Sequence, residues 1–287
     1  MAAEFHLFLP QMRMTPAVMA DRAVAAETAG FTGIALMDHL WAPMAEHQPS
    51  YEALVTATWI AARTTTLTVG HLVLCDAFRH PVQLAKEAIT LDHASGGRFE
   101  LGIGWGSMPT ELDAIGLGAP PSQRVARLRE TLEILQQAFD GAPLDLDGSY
   151  VTVHGPPLQP APLGRLPIVI GGAGPKTLAL AGFADWWNLP IYALDRLEEV
   201  RDIVGVPLST QQMVALVRSD QDRAEVEATT ERRFRAMHPV VGSAAELVDH
   251  YGRLIERGVQ RFYVWSADFG DPATLAEFGA EVITPLS

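Results

Sequence analysis

Four short runs in this 287-residue chain carry side chains or bare backbone able to do chemistry. Asp38-His39 sets an acid beside an imidazole at the end of the apolar run from Gly33 to Met37. Imidazole, with an unperturbed pKa of about 6.5, is the natural group for moving a proton near neutral pH. On residue type alone the favoured reading is an Asp that caps the next turn beside a half-buried surface His. Leu74-Cys75 ends a second apolar run; no basic residue is evidently paired with Cys75, so it is not read as a nucleophile. Gly102-Ile103-Gly104-Trp105-Gly106-Ser107 offers glycines against which a flat ring or a phosphate can lie, although the spacing is wrong for a dinucleotide fingerprint. Ile168 to Thr177 passes from a strand-like run through Gly171-Gly172-Ala173-Gly174 into Pro175-Lys176-Thr177. Free backbone N–H groups at such a helix start attract phosphate, and Pro175 suits the first helical position. The GxxxxGK[ST] spacing of a P-loop is absent, and a well-capped helix after a strand is the alternative reading.

These runs lie at the ends of strand-like segments, and the rest of the chain shows how they could converge. Strand patterns cover Phe5 to Leu9, Gly33 to Met37, Leu67 to Leu74, Phe99 to Ile103, Ile168 to Ile170, Asp185 to Leu189, Met213 to Val217 and Phe262 to Trp265. Helical patterns follow each one, over Pro16 to Ala29, Tyr51 to Arg63, Val82 to Ala94, Gln123 to Phe139, Lys176 to Phe183, Leu197 to Val204, Ala244 to Arg257 and Pro272 to Val282. Eight alternating pairs imply a parallel sheet and fit a (β/α)8 barrel in one domain over residues 1–287, with a doubly wound open sheet as runner-up. In that barrel the active site lies at the carboxyl ends of the strands. Two excursions interrupt the alternation. Gly141 to Leu166 is rich in Pro and Gly, with Tyr150 to Val153 a candidate hairpin arm, and Asp220 to Met237 is a charged extra helix.

Composition narrows the function classes. The chain is 48% hydrophobic and 19% charged, which fits a packed globular protein. Its formal charge of −13 and the absence of a basic stripe argue against nucleic acid. A single cysteine excludes an intrachain disulfide and fits a reducing compartment. No signal-peptide pattern and no membrane-length apolar run is visible, so a cytoplasmic protein without membrane contact is expected. The histidines show no HExxH-like spacing, so no metal is expected, and no Ser-His-Asp set with a nucleophile elbow is present. His6 reads either as pointing into the barrel mouth or as a polar core filler, and Trp186-Trp187-Asn188 as packing the rim or lining the pocket.

The stretch Arg79-His80-Pro81, Leu84-Ala85-Lys86, Thr90-Leu91-Asp92, Ser95-Gly96-Gly97-Arg98 and Leu101 to Gly104 resembles the luciferase-like monooxygenase family. Asp38-His39, Gly171-Gly172-x-Gly174 and Val241-Gly242-Ser243 to Glu246 fit the same family, and together they point to its branch using the deazaflavin coenzyme F420, with FMN the alternative. The resemblance implies a barrel oxidoreductase that passes a hydride between F420 and a small organic molecule; the alternatives are an FMN monooxygenase activating oxygen and a non-catalytic flavin-binding protein. A barrel enzyme of unrelated chemistry that holds a phosphorylated substrate at Gly171 to Lys176 is a third, weaker option. The family resemblance also implies a homodimer, the commonest oligomer. His39 and Asp38 become the catalytic candidates. Asp38, Leu74, Cys75, Gly104, Trp105, Gly106, Gly171, Gly172, Ala173, Gly174, Lys176 and Thr177 become cofactor contacts, with a non-proline cis peptide expected at Leu74-Cys75 and phosphate on the Gly171 loop. Lys176, Arg79 and Arg165 are candidates for the acidic tail of F420. Trp105-Gly106 reverses the order common in the family, and Pro109 stands where an acid is frequent, while Glu111 and Gly116 keep their places. Substrate contacts are expected from Trp41 to Pro49, Ser107 to Pro121 and Gly141 to Leu166, with Trp41, Met44 and Met108 hinting at an apolar molecule.

Overall fold

Short apolar runs pair edge to edge in parallel here because a helix after nearly every one returns the chain to the same end of the sheet. The computed structural model describes residues 3–43, 45–234 and 237–287. The strands are β1 (Glu4–Phe8), β2 (Gly33–Leu36), β3 (Thr68–His71), β4 (Leu74–Cys75), β5 (Leu101–Gly104), β6 (Leu144–Asp147), β7 (Thr152–Gly155), β8 (Ile168–Gly171), β9 (Trp186–Leu189), β10 (Leu208–Leu216), β11 (Val240–Gly242) and β12 (Val259–Ser266). The main sheet runs β3-β2-β1-β12-β10-β9-β8-β5-β4, all parallel, and β11 pairs with β10 at Val214 to Leu216, beyond the segment that β9 pairs. β3 and β4 are two pieces of one barrel strand, and a bridge from Val69 to Phe99 brings the ends of the order together. The result is an eight-stranded (β/α)8 barrel, as the alternation of patterns implies.

The helices are α1 (Pro16–Thr28), α2 (Ala53–Ala61), α3 (Pro81–Ser95), α4 (Pro109–Ala114), α5 (Pro121–Phe139), α6 (Pro175–Leu178), α7 (Leu197–Val204), α8 (Asp220–Phe234), α9 (Ala244–Glu256), α10 (Pro272–Phe278) and α11 (Thr284–Leu286). Their ends follow local chemistry. Pro81 opens α3, and Gly96, with φ of 69°, closes it in the left-handed region. Ser243 and Glu246 cap the start of α9 reciprocally. Among the described residues no helix is long and apolar enough to cross a membrane.

Several expectations need correction. The run Leu67 to Leu74 is broken between β3 and β4, and the non-proline cis peptide lies at Leu72-Val73, not at Leu74-Cys75. The helix expected from Lys176 to Phe183 is one α turn followed by a 3₁₀ turn over Ala181–Phe183. β10 and β12 are longer than their apolar centres suggest, and α4 and β11 were not anticipated. The extra helix is described over Asp220–Phe234; Arg235 and Ala236 of the expected range, and Met44 of the expected apolar lining, lie outside the described residues.

Packing decides which part of the barrel mouth stays open. One apolar cluster fills the space between sheet and helices. A smaller one, built on Phe8, Met12, Met37 and Tyr263 with Trp265 and Phe269 against it, sits at the carboxyl ends of β12, β1 and β2. Toward the amino ends the barrel interior is polar. Arg261 bonds Glu4 at 2.7 Å and Glu100 at 2.8 Å, and lies 3.8 Å from the centre of the Trp186 ring. His6 is buried in this layer, 3.7 Å from Glu100, and burial pushes its pKa down. His6 therefore fills the core, and its ring takes the space a Cβ at Gly33 would need.

Candidate active site

With the β12-β1-β2 side filled, a cavity of about 570 Å³ opens over the carboxyl ends of β4, β5, β8 and β9. That volume is in the range of small-molecule and cofactor sites. Asp38, His39, Leu74, Cys75, Gly104, Trp105, Gly106, Gly171, Gly172, Ala173, Gly174 and Thr177 all line it. Lys176 does not: it is exposed on the outer side of α6.

Asp38 follows β2, where the buried Gln11 side chain fixes the preceding residue by accepting from the Met37 N–H at 3.1 Å and donating to the Met37 carbonyl at 2.5 Å. The Asp38 carboxylate accepts from the Cys75 N–H at 2.8 Å and from both ends of the Arg79 guanidinium, at 2.6 and 3.1 Å. Arg79 also donates to Glu52 at 2.5 Å. Burial alone would lower the Arg79 pKa; Asp38 and Glu52 outweigh it and raise it. Asp38 is thus committed to joining β2 to β4, and Arg79 is not free to meet an acidic tail.

His39 turns the other way. Its Nδ1 lies 2.9 Å from Glu111 Oε2, while Glu111 Oε1 accepts from the N–H groups of Leu40 at 2.6 Å and Trp41 at 3.3 Å. A carboxylate can only accept, so pairing with the Glu111 carboxylate assigns a proton to His39 Nδ1 and leaves Nε2 for a ligand. Glu111 rides on α4, and Pro109 occupies the first position of that helix, where a missing N–H costs nothing. The departure at Pro109 therefore serves the element that carries Glu111. Sequence reading kept Glu111 in place but did not pair it with His39, because 72 residues separate them.

Cys75 is buried, and burial pushes its thiol up to about 11, so it stays protonated and unreactive. The glycines of β5 serve protein before ligand. A Cβ on Gly102 would stand 1.7 Å from the His71 carbonyl oxygen, and one on Gly104 would stand 2.7 Å from Val73 Cγ2. They make room for the chain where β3 breaks into β4. Trp105 carries the Arg124 guanidinium 4.7 Å from its ring centre, and Arg124 donates to the Gly106 carbonyl at 2.8 Å.

The glycine loop after β8 is held from behind. Trp187, fully buried on β9, donates its indole N–H to the Gly172 carbonyl at 2.9 Å. Arg196 donates to the Ala173 carbonyl at 2.9 Å. In a planar trans peptide the N–H points opposite to the C=O of the same unit. Pinning those two carbonyls therefore aims the N–H groups of Ala173 and Gly174 the other way, and among the described residues no protein oxygen accepts from either. With four residues in α6, these amides rather than a long helix dipole are what an anion would meet. The role of Trp187, left open between rim and pocket, is this brace; Asn188 is the member of that run, with Pro190 beyond it, that reaches the cavity wall. Arg165 precedes β8 and bonds Asp185 at the amino ends of the strands, far from the glycine loop in the barrel's sense. The Gly141 to Leu166 excursion is at that same end and none of it lines the cavity, so it is not a source of substrate contacts. Among the described residues no cluster of three or more metal-ligating side chains occurs.

The family model for luciferase-like monooxygenases matches residues 3–257. An F420-dependent glucose-6-phosphate dehydrogenase of Kineococcus radiotolerans is 33% identical over 176 residues, 60% of this chain and 51% of that protein. The Mycobacterium avium protein of the same name is 33% identical over 177 residues, 60% of this chain and 52% of its own. The chain thus spans about half the length of the curated relatives it matches. Among solved structures, an F420-dependent secondary alcohol dehydrogenase in complex with an F420-acetone adduct superposes with a TM-score of 0.82 at 17% identity, over 100% of this chain and 98% of that one. The coenzyme F420-dependent tetrahydromethanopterin reductase of Methanopyrus kandleri gives 0.80 at 19%, over 100% of both chains. At those identities the likeness speaks for the barrel alone. The family-model match, covering most of the chain, carries the assignment: this protein belongs to the luciferase-like monooxygenase family.

Proposed function

We propose that this chain is an F420-dependent oxidoreductase acting on a small organic molecule. The observation that carries the reading is the pair of amides at Ala173 and Gly174, aimed by two pinned carbonyls, at one side of a cavity that has His39 on its wall. The kinship with F420-dependent dehydrogenases favours F420 over FMN. The cavity fits the group: bare backbone at Gly171 to Gly174 and the Thr177 side chain would hold the phosphate, and Leu74, Gly104 and Trp105 would face the ring. When bound, the deazaflavin supplies a two-electron hydride donor or acceptor at its central ring carbon.

The chain's own residues do the rest. Asp38, tied to Cys75 and Arg79, fixes the β2 and β4 ends that would bear on the ring. Glu111 holds His39 in one tautomer and one orientation, so that Nε2 takes or gives the proton that accompanies hydride transfer. Leu72, Val73 and Leu74 line the cavity with an apolar wall that would exclude water from the bound ring. A homodimer remains part of the proposal: Val55 and Trp59 on α2 are 72% and 46% exposed and offer an apolar face to a second copy.

Titration of the purified protein with F420 and with FMN tests the cofactor, by fluorescence quenching. Saturable F420 binding with weaker FMN binding is expected; tight FMN binding with no affinity for F420 overturns the assignment. In a turnover assay His39→Ala is expected to lose about 100-fold in rate or more while still binding F420. Unchanged turnover would remove His39 from the mechanism.

A further inference from the structure

A second cavity of about 420 Å³ opens beside the first and shares His39, Met108 and Glu111 with it. Its wall is apolar where it faces solvent: Trp41 and Met108 are 43% and 36% exposed, and Pro43 and Ala114 complete that side. Large apolar side chains left facing a cavity, rather than packed under it, mark a ligand surface. Its charged residues all carry one sign. Glu111 and Glu46 line the annex, and among the described residues no lysine or arginine lines either cavity.

The arginines that back the two cavities are already engaged. Arg79 is held by Asp38 and Glu52, Arg124 by the Gly106 carbonyl and the Trp105 ring, and Arg196 by the Ala173 carbonyl and Glu199. The anion-receiving amides lie after β8, whereas the annex opens between the loop after β2 and α4.

We propose that this annex takes the substrate, and that the substrate is a neutral or cationic, largely apolar small molecule rather than an anion such as a sugar phosphate. The inference rests on the oxidoreductase reading and sets a substrate class for it that differs from the glucose 6-phosphate named in the curated relatives. An anion in the annex would face the buried Glu111 and the exposed Glu46 with no lysine or arginine in return among the described residues, and like-charge juxtaposition is disfavoured. A cation or a neutral apolar group meets no such cost.

One scaffold carrying three charges tests this: benzyl alcohol, benzylamine and benzyl phosphate, with glucose 6-phosphate beside them, bound to protein whose glycine-loop amides are already saturated with F420 or with inorganic phosphate, and followed by calorimetry or ligand-observed NMR. Benzyl alcohol and benzylamine are expected to bind, and both phosphates to bind about 100-fold more weakly. Ala114→Arg places a guanidinium on the annex wall from an exposed helical position. It is expected to narrow or reverse that ranking, raising benzyl phosphate and lowering benzylamine. Phosphates that bind the unmodified protein as tightly as the alcohol, or a ranking that Ala114→Arg leaves untouched, overturn the proposal. F420 binding is titrated separately: its failure sinks the cofactor reading, while the charge ranking and its response to Ala114→Arg decide the substrate class.

Discussion

Trp187→Phe isolates the brace behind the glycine loop. The substitution keeps an aromatic ring in a fully buried position and removes one hydrogen bond of 2.9 Å, that of the indole N–H to the Gly172 carbonyl. A carbonyl stripped of its donor costs about 1–3 kcal/mol, which for a chain of this size lowers the melting temperature by several degrees. The effect on binding is of a different kind. Once the Gly172 peptide is free to rotate, the Ala173 N–H loses its aim, and a hydrogen bond from an amide to a charged phosphate is worth about 1.5–3 kcal/mol. Affinity for F420 should therefore fall about 10- to 100-fold. The control is the phosphate-free deazaflavin core, which never uses that amide and should bind the variant as it binds the parent. Both titrations are run on folded protein, with circular dichroism as the check. An equal loss for the two ligands would mean that Trp187 shapes the ring pocket rather than the amides. No loss for F420 would mean that the Gly172 peptide is held without the indole, and the argument from pinned carbonyls would fail.

Gly102→Ala should be among the most damaging small substitutions in the barrel, because its Cβ would overlap the His71 carbonyl oxygen at 1.7 Å, backbone that cannot swing aside; a loss of about 3 kcal/mol or failure to fold is expected in denaturant titration, against little change for Gly182→Ala, where nothing lies within 4 Å. Glu27 gives the pH prediction: burial would raise its pKa, but the N–H groups of Thr65, Thr66 and Leu67 and the Thr66 hydroxyl outweigh it and hold the carboxyl at about 2. A depressed folded pKa means that the carboxylate's stabilisation is fully present above the unfolded value of about 4.3 and is lost as pH falls toward 2. Glu27→Gln should thus lower the melting temperature at pH 7 and converge on the parent near pH 2; a constant difference across that range would contradict it.

The residues that sequence reading could place were those whose role is local. Gly96 after α3, Pro175 at the first position of α6 and the Ser243-Glu246 pair carry their structural meaning within a few residues, and the alternation of periods was enough for the barrel. What escaped it was set by contacts across the barrel. Glu111 reaches His39 over 72 residues, Gln11 reaches Met37 over 26, and Gly102 and Gly104 are glycine because of His71 and Val73 on the neighbouring strand. Two errors had a signal available. Arg165 and the Gly141 to Leu166 excursion lie between a helix and the next strand, so they belong to the amino-terminal end of the barrel, while sites form from the segments after the strands. Chain order alone would have excluded both.

The acidic character of the site looks at odds with an anionic cofactor until each charge is followed to its partner. Asp38 is neutralised by Arg79 through two bonds, and Glu111 is occupied by His39 and two backbone N–H groups. Across the cavity, the Ala173 and Gly174 amides carry partial positive charge with no protein acceptor among the described residues. The cavity is therefore polarised, amides after β8 on one side and the imidazole-carboxylate pair between β2 and α4 on the other. On the proposed reading that polarity does two jobs at once. It sends the phosphate to the glycine loop, and it keeps the anionic end of the cofactor away from His39, whose ring keeps the orientation that Glu111 gives it, with Nε2 left for proton transfer. A protein that instead placed arginines on both walls would bind the cofactor more tightly and less specifically, in either direction, and would lose the bias that the pinned Gly172 and Ala173 carbonyls create.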